Sequence, residues 1–155
     1  MKKIIITTFI ISLAIISCKK DTASTGGGSF TINGTSYNVT STNRIITSNV
    51  VCLTFTSLNS QTFDNRTVNF YFASSPSGGT YNLVSSSAGM STGQVYFLAT
   101  SSNGLSSPTE YSSDGISGSI TVSESGGKVT ITMASINMAI TGGGTASISA
   151  NVTEM

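Results

Sequence analysis

The groups able to do chemistry in this chain are few, and their types exclude more than they suggest. Histidine is absent, which removes the usual general base, the usual partner of a Ser or Cys nucleophile and the commonest metal ligand. A pair of carboxylates across a cleft would suffice to hydrolyse a glycoside. Asp64, Glu110, Asp114 and Glu124, however, fall in predicted turns or at strand ends, where acidic side chains are ordinarily solvated. Asp64 with Asn65, or Asp114 with its neighbouring carbonyls, offers fewer spaced oxygens than Ca²⁺ requires. No catalytic residue, metal site or cofactor is assigned on these grounds. Tyr71, Tyr96 and Tyr111 stand at outward positions, where their rings are able to stack on sugars or to act as ordinary cross-strand partners.

The thiol of Cys18 has a distinctive setting. Lys2 and Lys3 precede thirteen mostly apolar residues, Ile4 to Ile16, and Ser17 stands before Cys18. A basic start, an apolar middle and a small residue at the end make the layout of a secretory signal. A spanning helix needs about 20 apolar residues to cross the hydrocarbon core, so this run is expected to be removed. Ile15-Ile16-Ser17-Cys18 resembles the lipobox of bacterial lipoproteins. That resemblance implies that the Cys18 thiol carries a diacylglycerol, that the bond before it is cut, and that the new amine is acylated, with palmitate among the usual chains. The alternative is a plain signal peptide with a chance cysteine. Each buried methylene contributes about 0.8 kcal/mol, so two or three chains hold a domain at a membrane firmly. No Asp follows Cys18 directly; in the lipoprotein family that favours the outer membrane, periplasmic or surface-facing.

Residues 1–17 are thus read as a signal peptide and 18–29 as a tether, because Asp21 to Ser29 is Gly, Ser and Thr-rich and holds nothing able to build a core. Asp21-Thr22-Ala23 resembles the short sites at which periplasmic Bacteroidetes proteins are O-glycosylated, which implies Thr22 as the modified residue. After cleavage the basic residues are Lys19, Lys20, Arg44, Arg66 and Lys128 against six acidic ones, a side-chain charge of −1. No basic patch exists to neutralise phosphates, so nucleic acid is not an expected partner. With Cys18 given to lipid, Cys52 has no disulfide partner, and it reads as a small apolar strand residue.

The elements that must position everything else lie in 30–155. Apolar residues recur there at period two, the mark of strands with one buried face. Phe30 and Ile32 lead through Asn33-Gly34 to Tyr37 and Val39, a strong hairpin signal. Strands follow at 44–47, 50–57, 67–73, 79–84 and 94–101; Ile116, Ile120 and Val122 then lead through Gly126-Gly127 into a long return arm. In that arm the inward set changes from odd numbers, ending at Met133, to even numbers from Ile136, which predicts a β-bulge at Ala134 or Ser135. Gly142-Gly143-Gly144 turns into a last strand bearing Ile148, Ala150 and Val152. No stripe at helical spacing appears, and the expected domain is all-β: an antiparallel meander of nine to ten strands forming a β-sandwich or a flattened barrel. The short connections predict no parallel pair.

Ser29 to Tyr37, Gly79-Thr80-Tyr81-Asn82-Leu83 and Tyr111 to Thr121 are together similar to a group of small, uncharacterised Bacteroidetes lipoproteins, except that a Trp common there after the first turn is here Tyr37. The group has no settled activity. Two functions stay open. One is a lipid-anchored, non-enzymatic envelope protein whose β-domain is a structural or interaction module, with an envelope protein or a glycan as partner. The other is a calycin-like barrel carrying a small ligand. Phe55, Phe70, Phe72 and Phe97 discriminate them, since they fill a core in the first and line a cavity in the second.

Overall fold

Alternating Val, Ile and aromatic residues against Ser, Thr and Asn suit a pleated, half-buried surface and little else. The computed structural model describes residues 25–47, 50–104 and 106–155. After a 3-10 turn at Thr25–Gly27 come β1 (Gly28–Ile32), β2 (Thr35–Asn38), β3 (Ser41–Ile46), β4 (Val51–Asn59), β5 (Asp64–Phe72) and β6 (Gly79–Val84). They are followed by β7 (Gln94–Ser102), β8 (Thr109–Ser112), β9 (Ser119–Ser125), β10 (Lys128–Ile140) and β11 (Thr145–Thr153). β1 therefore begins two residues inside the segment read as tether, and Cys18 and Thr22 lie outside the described residues.

The strands form one sheet in the order β2-β1-β11-β10-β9-β6-β7-β5-β4-β3, with β8 pairing both β10 and β7. Because β8 gives a second route from β10 to β7, the strands β6, β7, β8, β10 and β9 make a closed ring. The remaining strands extend from it as two layers whose outermost strands, among the described residues, are β2 and β3. The result is a flattened barrel, closed along one side. Ser113, fully buried, ties the ring: its hydroxyl donates to the Val84 carbonyl at 2.6 Å and accepts from the Phe97 N–H at 3.0 Å.

Two expectations are corrected here. β8 was not visible as a strand, and β6 pairs with β7 in parallel. Only Asn82↔Gln94, Leu83↔Val95 and Val84↔Tyr96 overlap, so the chain has to return over roughly 10 Å, three residues at about 3.3 Å each. The loop 85–93 covers that without the long crossover a full parallel pair demands. The other short-range signals match the chain's path. Asn33 and Gly34 both have positive φ (49° and 78°), the hairpin geometry that joins β1 to β2. In β10 the register against β11 shifts between Met133 and Ile136: Met133 faces Ala150 and Ile136 faces Ile148, so Ala134 and Ser135 together oppose Ser149. The bulge keeps both halves of β10 facing the core.

β1 and β11 pair with each other, and Gly28 lies tightly against β11. Its φ is +71°, and a Cβ there would stand 2.1 Å from the Asn151 carbonyl oxygen, so glycine is required. Between the layers, Phe55, Phe70, Phe72 and Phe97 are wholly inaccessible to solvent. Phe70 meets Phe55 and Phe97 edge-on at 6.1 and 5.2 Å between centroids, and Phe72 meets Tyr81 at 5.1 Å.

Candidate functional site

The outward tyrosines divide. Tyr71 on β5 and Tyr96 on β7 are register partners, half-buried on the outer face, with ring centroids 5.7 Å apart. Cys52 lies opposite Tyr71 on β4, and Ile45 opposite Cys52 on β3, so one cross-strand row carries all four side chains. Burial pushes the Tyr71 phenol up to about 12, with further contributions from Cys52 and from Tyr96. The Tyr96 phenol is raised as well, by burial first and then by the negative charge of Asp114. Tyr111 does not join them. It is only 8% exposed and belongs to the core, because β8 sets it opposite Ala99, an inward residue of β7, and partners in an antiparallel pair share a face. Without β8 recognised as a strand, its parity had no reference.

A second constellation lies at the open side of the barrel. The inward face of β5 is its even-numbered set, Val68, Phe70 and Phe72, and Arg66 continues that set toward the rim. Arginine is seldom buried unless paired, yet Arg66 is 8% exposed. Its Nη2 donates to the Asn103 Oδ1, its Nη1 stands 3.7 Å from the Asp64 Oδ2, and its carbon centre lies 5.1 Å from the centroid of the Tyr37 ring. Tyr37 in turn rests on Phe30 at 5.7 Å, which connects the core to the rim. The Arg66 Nε–H is buried and has no acceptor among the described residues.

Arg66, Asp64 and Tyr37 line a cleft of about 500 Å³ between β2 with its exit to β3 on one wall and the β4–β5 hairpin on the other. That volume lies within the usual range of small-ligand sites, roughly 300–1,000 Å³. The hairpin tip is organised by Asn59, whose Oδ1 accepts from the N–H groups of Gln61 at 3.0 Å and Thr62 at 3.4 Å. Phe63, at the same tip, is 66% exposed and has φ of +57°, an uncommon backbone for a bulky residue. The Asp64 carboxyl is held below the usual carboxylate range by the Gly104 N–H at 2.8 Å, by Thr62 and by the Arg66 charge. Among the described residues no three His, Cys, Asp or Glu side chains are grouped to hold a metal ion.

The strand expected at 67–73 begins at Asp64, three residues earlier, which brings Arg66 into the strand and onto the cleft. Extending the alternation from Val68 by one inward position would have placed a charged residue on the core face. Comparison with protein-family models, with curated proteins and with solved structures finds no match for this chain.

Proposed function

We propose that this chain is a bacterial lipoprotein of the cell envelope, held at the outer membrane through lipid on Cys18. Its β-domain, carried on the 18–29 tether, acts as an interaction module and not as a catalyst, with glycans among its partners. The observation that carries the interaction reading is the filled interior: Phe55, Phe70, Phe72 and Phe97 pack on one another or on Tyr81 and are fully buried. That favours recognition at the outer surface over transport of a ligand inside a calycin-like barrel. The absence of His from the whole sequence supports binding over catalysis. Thr22, within Asp21-Thr22-Ala23, is the position proposed for an O-glycan on the tether.

The anchor is tested by Cys18→Ser in the native envelope, with membranes separated from soluble protein. The variant is expected to leave the membrane fraction, and intact mass is expected to show diacylglycerol and acyl chains on wild-type Cys18. Equal membrane retention of both proteins, or an unmodified Cys18, would overturn the anchor.

A further inference from the structure

Arg66 poses a question of donors and acceptors. A guanidinium has five N–H groups and accepts nothing; here one is bonded to Asn103, the Asp64 carboxylate stands at ion-pair distance, and the buried Nε–H is unanswered among the described residues. A buried donor without an acceptor is costly, but the Nε is enclosed; a ligand oxygen in the cleft would meet the guanidinium at Nη1, whose 3.7 Å to the Asp64 Oδ2 is longer than a hydrogen bond. The charges beside it are matched, Arg66 against Asp64, and the remaining polar lining comes from amides and hydroxyls such as Asn38 and Gln61, with Leu58 as the apolar contact.

We propose that this cleft binds a neutral saccharide. A sugar hydroxyl both accepts and donates, so one hydroxyl is able to take a hydrogen from the Arg66 guanidinium while giving its own to the Asp64 carboxylate, and a neighbouring hydroxyl is able to meet the amides of Asn38 or Gln61. A carboxylate or phosphate would satisfy Arg66 equally well but would stand beside the Asp64 charge, which penalises an anion. Leu58, half exposed on the cleft wall, supplies apolar surface for the C–H face of a pyranose. The inference rests on the interaction-module reading and places its glycan site at Arg66, away from the Tyr71–Tyr96 row.

The test is titration of the full-length protein in detergent micelles with free glucose, mannose, galactose, N-acetylglucosamine, maltose and lactose, and with glucuronic acid as the anionic arm. Amide chemical shifts are followed by NMR. At least one neutral sugar is expected to give saturable shifts confined to residues 36–40 and 57–66. Affinity is expected to fall at least tenfold in Asn38→Ala and in Gln61→Ala, two surface changes that leave the core intact, and to be unchanged in Tyr96→Ala. Tighter binding of glucuronic acid than of every neutral sugar would overturn the neutral assignment. Shifts centred on Tyr71 and Tyr96 would overturn this site while leaving the interaction-module reading in place. No saturable shift with any sugar would overturn saccharide recognition at the cleft. None of these outcomes depends on Cys18, so failure of the anchor is read separately by fractionation.

Discussion

At the scale of single residues, burial decides how each polar side chain behaves. The Tyr71 phenol, pushed up to about 12 by burial and by Cys52, holds its proton above the ordinary tyrosine value of about 10. A folded form that favours the neutral phenol is fully stabilised below that value and loses the contribution as pH rises toward 12. Ultraviolet titration of the native protein should therefore show late ionisation whose amplitude Tyr71→Phe reduces, with Tyr96, also raised, supplying the rest; an unchanged late amplitude in the variant would assign it elsewhere. Tyr71 and Tyr96 were legible as outward because their strands carry unbroken alternation. Tyr111 was not, since the four-residue β8 is too short to display a period. Arg66 was hidden for a different reason: a charge at a strand's first inward position looks like part of the preceding turn.

At the scale of elements, hydrophobic parity controls what the chain tolerates. Because Ala134 and Ser135 jointly oppose Ser149, removing Ser135 leaves Met133 and Ile136 at regular two-residue spacing. The inward set of β10 then stays on the core side. Deletion of Ser149 does the reverse, sending either Ala146 and Ile148 or Ala150 and Val152 to the solvent face of β11. Deletion of Ser135 should keep a cooperative thermal transition, with a loss of about 1 kcal/mol for the altered strand bend, whereas deletion of Ser149 should abolish it. Matching melts for the two deletions would contradict this account. A core truncation gives the scale for comparison: Phe70→Ala, made among the stacked phenylalanines, should cost about 3–5 kcal/mol in denaturant unfolding, and a loss under about 1 kcal/mol would mean that the interior is not tightly packed. The bulge was readable from sequence, since a parity change inside one strand has few other remedies.

At the scale of the whole molecule, the open side of the barrel is held by contacts no local pattern announces. Arg44 on β3 forms a two-pronged ion pair with Glu154 just beyond β11, and Glu154 also accepts the Val129 N–H at 2.9 Å. Burial alone would raise the Glu154 carboxyl, but Arg44 and the Val129 N–H outweigh it and hold it below the usual range. A depressed carboxyl stabilises the fold above its unfolded value, about 4.3, and the contribution is lost as pH falls through the folded value. Glu154→Gln should cost about 1 kcal/mol at neutral pH, the usual scale of a partly exposed charged pair. The variant should also lose less of its melting temperature than wild type between pH 5 and pH 3, values about the carboxylate range; parallel profiles would exclude the pair as the cause. By itself the sequence determined the all-β class, the hairpins at Asn33-Gly34 and Gly126-Gly127, the bulge and the inward phenylalanines, because each rests on neighbours within a few residues and a period of two. The tertiary structure alone decided that β1 closes on β11, that β6 runs parallel to β7, that Tyr111 turns inward, and that Arg66, Asp64 and Tyr37 meet around one cleft. Those pairings join residues tens of positions apart, and their free energy depends on which faces and edges are already covered, which no local window contains.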